Sequence, residues 1–395
     1  LKEVAMLART ETDEPLMYVT DRPPVVFTRG EGSWLIDRED HKYLDFVQGW
    51  AVNSLGHAHP AMSKAIAAQA STLINASPAF LTDRMQEMAA KLVACSCMDR
   101  VFFTNSGAEA NEGAIKLARK WGSLHKDGAY EIITLINGFH GRTLATMSAS
   151  GKPGWDVLFE PKVPGFPKVP AGDLVAVERA ITAKTVGIML EPIQGEAGVI
   201  PMPPGYIRGL RELADAKNLL LILDEIQTGI GRTGKMFAYE HEGIEPDIMT
   251  LGKGLGGGVP LGALTAKEKI SCFVPGDQGG TFNGNALVTA AGTVVLDIVG
   301  QPEFLDEVTA KGAYLRKRLA ELATRFGHGE TQGRGLLIGW TLRTQNAAEI
   351  VKHAFENRLL LNAPRPDILR FMPALTVTRE EIDIMISTLA DILSA

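Results

Sequence analysis

Cysteine is scarce: Cys95, Cys97 and Cys272 are all this chain has. Three is an odd number, too few for a disulfide framework, and no CxxC pair with partner histidines offers a zinc site. A reducing, cytoplasmic setting is the expectation. Positive charge is not in excess, since 40 Lys and Arg face 46 Asp and Glu for a net charge of −6, which speaks against an electrostatic footprint on nucleic acid or an anionic membrane. Long apolar runs are missing too. The longest aliphatic stretch, Leu219 to Leu223, falls far short of the ~20 residues that a membrane-spanning helix needs. The first twenty residues mix Lys2, Glu3, Arg9, Glu11, Asp13 and Glu14 with no apolar core, so no secretory signal is expected.

What is present is an ordinary globular composition, 45% hydrophobic and 22% charged over 395 residues, with core enough for two to three domains at about 150 residues each. The 41 glycines cluster at strand-to-helix junctions and form no low-complexity run. Short aliphatic runs predict buried strands at Arg100–Thr104, Glu131–Ile136, Thr185–Leu190, Leu219–Leu223, Asp247–Leu251 and Leu261–Thr265. Amphipathic stretches alternate with them, such as Glu109 to Trp121 with Ala110, Ala114, Leu117, Ala118 and Trp121 on one stripe. That alternation predicts an α/β fold around a largely parallel sheet. The last hundred residues read as a second, smaller α+β unit, with long helices near Pro302–Arg325 and Thr378–Ser394 around a strand at Leu336–Thr341. Thr378-Arg379-Glu380-Glu381 is a capping box for the last helix. Val26–Asp45 reads as a hairpin-like segment.

Three motifs mislead. Gly229 to Lys235 spells the glycines and lysine of a P-loop, but Met236 stands where a magnesium-binding hydroxyl is required. Gly252, Gly254 and Gly257 satisfy G-x-G-x-x-G, yet Val259-Pro260-Leu261 follows where a helix is needed. His57 and His59 lack a neighbouring carboxylate or cysteine in sequence, and turn or packing chemistry is the better reading. No metal site is expected.

A different set of residues carries chemistry. Lys253 sits among Gly252, Gly254, Gly256, Gly257 and Gly258 directly after a buried strand; a random lysine would be solvated, but here desolvation would lower the amine's pKa toward nucleophilicity. Asp224 closes the run Leu219 to Leu223, and a carboxylate at the carboxyl end of a buried strand points into the crevice where α/β proteins bind ligands. A helix cap is an equal reading of Asp224 taken alone. Asn105-Ser106-Gly107-Ala108-Glu109 opens a helix whose free N–H groups suit a phosphate, although Ser106 also reads as a plain N-cap. Phe139, in Phe139-His140-Gly141-Arg142-Thr143, is either core filler or a ring that stacks on a flat heterocycle.

These motifs, taken in order with Glu191-Pro192-Ile193-Gln194-Gly195-Glu196, Asp224-Glu225-Ile226-Gln227-Thr228-Gly229, Gly280-Thr281-Phe282-Asn283 and Leu369-Arg370-Phe371-Met372-Pro373, resemble the class III pyridoxal-phosphate aminotransferases over nearly the whole chain. Within the class the acetylornithine branch is most similar, supported by Leu44-Asp45-Phe46 and Ala51 to Pro60. The resemblance implies fold type I. It expects a large domain over 46–295 with a mostly parallel seven-stranded sheet, a small α+β domain built from 1–45 and 296–395, and a homodimer with shared active sites. It implies Lys253 as the Schiff-base lysine and proton shuttle, Asp224 at the pyridine nitrogen, Gln227 at the ring hydroxyl and Phe139 on the ring face. Ser106, Gly107 and Ala108 would hold the phosphate, joined by Thr281 of the neighbouring subunit. Arg142 would hold a substrate carboxylate, and Glu196 and Arg370 would form a switchable ion pair. Two departures bear on the amine donor: Gly280 replaces a common serine, and Trp50 is bulkier than its usual counterpart.

The implied reaction moves the terminal amino group of N2-acetylornithine to 2-oxoglutarate in arginine biosynthesis. Ornithine, succinylornithine or 4-aminobutyrate are the alternative donors. Two readings from other classes are a noncatalytic scaffold, against which Lys253 and Asp224 argue together, and an ATPase built on the near P-loop, which magnesium-ATP binding would reveal.

Overall fold

A computed structural model describes residues 15–394; the charged opening through Glu14, on which part of the expectation about a signal rests, lies outside the described residues. The central sheet runs in space through Arg100–Thr104, Gly262–Ala266, Ile248–Leu251, Leu220–Asp224, Thr185–Leu190, Glu131–Leu135 and Lys168–Val169. Gly262–Ala266 pairs antiparallel with both neighbours, and the other observed pairings are parallel. Strands such as Thr185–Leu190 and Leu220–Asp224 are buried on both faces. They therefore read as continuous aliphatic runs and not as alternation. Six of the seven match the predicted strands to within a residue at each end. Lys168–Val169 was not predicted: it is two residues long between Pro167 and Pro170, and prolines confine such a strand to an edge.

Helix Gly107–His125 buries Ala110, Ala114, Leu117, Ala118 and Trp121 against the sheet. Its first turn is fixed by Ser106, whose Oγ accepts the Glu109 N–H at 3.2 Å, while the Glu109 carboxylate accepts the Asn105 N–H at 2.7 Å. Chain direction then places six strand-to-loop junctions at one edge: after Thr104, Leu135, Val169, Leu190, Asp224 and Leu251. This is the carboxyl edge of the parallel strands, where α/β folds hold ligands.

The two chain ends meet. Antiparallel strands Phe27–Glu31, Trp34–Asp37 and Lys42–Asp45 are extended by Leu359–Leu360, which lies parallel with Leu359 opposite Leu44. A second sheet of Thr331–Arg334, Leu337–Thr341, Ile368–Phe371 and Asn362–Arg365 packs with helices Pro302–Phe326 and Arg379–Ser394. Glu381 joins these parts. Its carboxylate accepts the Thr378 N–H at 2.9 Å, the Ser33 hydroxyl at 2.8 Å and the Trp34 indole N–H at 3.0 Å, and its own N–H bonds to Thr378 Oγ1 at 3.1 Å.

The near P-loop has a structural job. Gly231 (φ 77°) and Gly234 (φ 87°) bend the chain so that the buried Arg232 guanidinium donates from Nη1 to the carbonyls of Leu336 at 3.1 Å and Pro373 at 2.6 Å. Burial pushes that guanidinium down to about 9. His57 Nε2 lies 2.8 Å from Asp45 Oδ2, and its ring packs against Gly30, which is the packing role expected of it. Among the described residues no helix is long and apolar enough to cross a membrane.

Candidate active site

Asp224 is firmly anchored at the carboxyl edge. Its Oδ2 accepts from Nδ1 of His140 and Nδ2 of Asn111, both at 2.8 Å, and its Oδ1 accepts the Ile226 N–H at 3.1 Å. Asn111 is itself fixed, donating to the His140 carbonyl at 2.7 Å and accepting from Thr250 Oγ1 at 2.7 Å. A buried carboxylate needs such donors to stay charged. Burial pulls the His140 imidazole downward, but the hydrogen bond and charge of Asp224 outweigh it and the net shift is upward.

Lys253 follows the strand Ile248–Leu251 and carries φ of +41°, an unusual value for a residue with a side chain. Close approach sets this loop. A Cβ on Gly252 would stand 3.2 Å from Gly107 Cα, and one on Gly254 would stand 2.6 Å from Ser54 Oγ. Desolvation, then the positive charge of Arg370, lowers the Lys253 pKa; Glu196, Asp224 and Glu191 partly oppose this. The direction is the one expected from its position after a buried strand.

Lys253 and Asp224 share a cavity of about 310 Å³ with Gly107, Ala108, Phe139 and Gln227. Gly107 lets the helix start and Ile226 approach closely: a Cβ there would fall 2.7 Å from Ile226 Cδ1. Phe139 is held by its backbone: its N–H donates to Glu191 Oε1 at 2.8 Å, while Glu191 Oε2 accepts the Gly195 N–H at 3.2 Å. Burial pushes the Glu191 carboxyl up to about 7, with nearby His140 resisting. Both polar atoms of the Gln227 amide are buried without a partner, as is Nε2 of His140. Buried polar atoms without partners cost free energy. A polar ligand in this cavity would supply partners for the Gln227 amide.

Glu196 lines the same cavity, and its Oε1 stands 2.8 Å from Nη1 of the buried Arg370, an ion pair whose alignment falls short of a hydrogen bond. Arg370 Nε donates to Asn362 Oδ1 at 2.9 Å. Burial raises the Glu196 carboxyl, yet Arg370, Lys253 and Lys152 reverse that and leave it lowered. Arg142 also lines the cavity and is exposed.

Two expected residues stand apart. The Ser106 hydroxyl works as the helix N-cap, and Thr281 is exposed, its carbonyl accepting from Asn75 at 3.3 Å, without lining this cavity. Gly280 has a packing reason: a Cβ there would meet the Asn283 amide at 2.6 Å, and Asn283 is tied to Asn105 at 2.7 Å. Trp50 is half exposed in a left-handed turn, with φ of 62° at both Gly49 and Trp50. Asn111, Glu191 and Ile226 were given no individual role from sequence. Their signal is faint, since each is a residue type that usually caps, pairs or packs.

A sequence model of the class-III aminotransferases matches residues 17–393. The chain is 56% identical over 389 residues to an acetylornithine aminotransferase of Ralstonia nicotianae, covering 97% of this chain and 98% of the relative. Among solved structures it resembles an N-acetylornithine aminotransferase from Stenotrophomonas maltophilia, with TM-score 0.84 and 36% identity over 94% of this chain and 96% of the other. An ornithine aminotransferase from Toxoplasma gondii superposes with TM-score 0.92 at 32% identity, covering 97% and 93% of the two chains.

Proposed function

Because this chain belongs to the class-III aminotransferases, we propose that it transfers the terminal amino group of N2-acetylornithine to 2-oxoglutarate, a step of arginine biosynthesis, in the cytoplasm. Pyridoxal phosphate, the cofactor of the class, supplies an electrophilic carbon for the amine and a protonated ring that draws electrons from the substrate carbon. The cavity fits that group. The unpartnered Gln227 amide suits its ring hydroxyl, Asp224 its ring nitrogen, Phe139 its ring face, and the N–H groups at Gly107 and Ala108 its phosphate. Ser106 would add its backbone, since its hydroxyl is committed to the cap.

Lys253 holds the reactive amine. Its lowered pKa leaves a larger fraction neutral, able to bond to carbon and to take a proton from the amine-bearing substrate carbon, which it would return to the cofactor carbon on the other side of the transferred nitrogen. Asp224, aimed by His140 and Asn111, stands where positive charge must be held through the reaction.

The observation that carries the substrate assignment is the Glu196–Arg370 pair at 2.8 Å. A donor with no carboxylate beside its reacting amine needs Arg370 masked. The dicarboxylate 2-oxoglutarate needs it exposed, and a bidentate fork then takes the carboxylate next to the reacting carbon. One mobile glutamate serves both. Arg142, at the exposed side of the cavity, suits the distal carboxylate of either substrate.

Exposed Thr281 and Phe282, together with exposed Ile74, Phe80 and Leu81, support a homodimer in which Thr281 of the partner subunit completes the phosphate site. The meeting of the chain ends at Glu381 supports a small domain of residues 1–45 and 296–395 beside a large one of 46–295.

A half-reaction panel tests the donor. Purified holoenzyme is mixed with N-acetylornithine, succinylornithine, ornithine or 4-aminobutyrate, and loss of its long-wavelength absorbance is followed. N-acetylornithine should discharge it with the highest kcat/KM; a faster competitor would displace the assignment.

A further inference from the structure

Arg142 and Arg370 solve the same problem by different means. A guanidinium meant for a substrate carboxylate must be held in place without being neutralised, and Arg370 is held by Glu196, which must move before a substrate carboxylate can bind there. Arg142 makes no ion pair or hydrogen bond among the described residues. Its charge-directed contact is with Trp155, whose ring centroid lies 5.6 Å from Arg142 Cζ. The indole is 8% exposed, and Phe139 lies against it at 5.5 Å between centroids. Lys152 Nζ sits 5.4 Å from the same ring and 4.0 Å from Glu196 Oε2. The loop that carries Trp155 is fastened by Lys162, which donates to the carbonyls of Trp155 and Leu158.

We propose that Trp155 is a positioning residue for substrate recognition: its π face holds the Arg142 guanidinium toward the cavity while leaving all its N–H donors free for the carboxylate remote from the transferred amine. A π face attracts a cation without offering it an acceptor. A carboxylate in the same place would have to be displaced at every binding event. This inference rests on the assignment of Arg142 to the distal carboxylate.

The test separates the inference from that assignment. Half-reactions of wild type, Trp155→Leu, Trp155→Phe, Arg142→Gln and the Trp155→Leu/Arg142→Gln double variant are measured with N-acetylornithine and with N-acetylputrescine, which keeps the reacting amine and acetamide but lacks the carboxylate. Trp155→Leu should raise KM for N-acetylornithine roughly 3- to 10-fold, the scale of a cation–π contact, with kcat nearly unchanged and no effect on N-acetylputrescine. Trp155→Phe, which keeps a ring face, should recover most of the loss, and the double variant should be no worse than Arg142→Gln alone. Calorimetry with glutarate, an unreactive dicarboxylate, should show the same order of Kd values. Equal damage to both amines in Trp155→Leu would mean that the indole only supports the fold, and additive losses in the double variant would mean that it acts elsewhere; either result overturns the inference. If Arg142→Gln itself leaves the preference for N-acetylornithine over N-acetylputrescine intact, the carboxylate assignment falls and the inference falls with it.

Discussion

Glu196 sits between three cations, Arg370 at 2.8 Å, Lys152 at 4.0 Å and the charge of Lys253, so removing it does more than delete one contact. Glu196→Ala should leave Arg370 permanently open to a carboxylate. The N-acetylornithine half-reaction should then lose roughly ten- to a hundredfold in kcat/KM, a change of about 1.4–2.8 kcal/mol in the barrier, while the glutamate half-reaction is spared or improved. Stopped-flow measurement of each half-reaction decides this, and equal losses on both halves would make the pair structural. At this scale the sequence was informative where a residue ends a buried strand. Asp224 and Lys253 could be singled out from the aliphatic runs before them. Glu196 and Arg370 could not be joined without a family resemblance, because they are far apart in the chain and charge alone favours two solvated side chains. Trp155 carried no signal: it lies in an aperiodic loop where an aromatic residue has no face to be assigned to.

Helix Arg379–Ser394 illustrates what an element can and cannot announce. Its capping box was legible and forms as read, with Thr378 and Glu381 bonded in both directions. What was not legible is that the same carboxylate also receives Ser33 and Trp34, since a reciprocal cap is local and those donors come from the far end of the chain. The two roles separate by mutation. Thr378→Ala should cost about 1 kcal/mol, a normal cap, whereas Glu381→Ala should cost about 2–4 kcal/mol by leaving several donors without an acceptor. Urea denaturation of the two variants measures the difference; near-equal costs would show that the contacts to Ser33 and Trp34 contribute nothing. The strands follow the same rule. Long buried runs announced themselves, whereas Lys168–Val169 and Leu359–Leu360 are two-residue additions to sheet edges, too short for any period.

Titration of the buried acids sets a property of the whole molecule. Burial pushes both Glu191 and Glu225 up to about 7, and His140 is also raised by Asp224. In each case the folded protein keeps a proton that the unfolded chain would release at lower pH, so the stability contributed below the unfolded pKa is lost as pH rises through the folded one. Stability should therefore fall between about pH 4.5 and 7. Glu196, shifted the other way, loses its contribution only in more acidic solution. Glu225 is not among the residues lining the active-site cavity, so Glu225→Gln should lower Tm overall yet flatten its decline across that window relative to wild type. An unchanged slope in thermal scans would show that Glu225 is ionised throughout. A last consequence lies in the order of synthesis. The strand Lys42–Asp45 finds its neighbour Leu359–Leu360 only after roughly 300 more residues have been made, some 15 to 60 s later at about 5–20 residues per second. During that interval the beginning of the chain is a sheet edge without its partner, and exposed edges invite pairing with the wrong chain. A ribosome paused before Leu359 prolongs that exposure, so the parts of the protein made first are among the last to be sheltered.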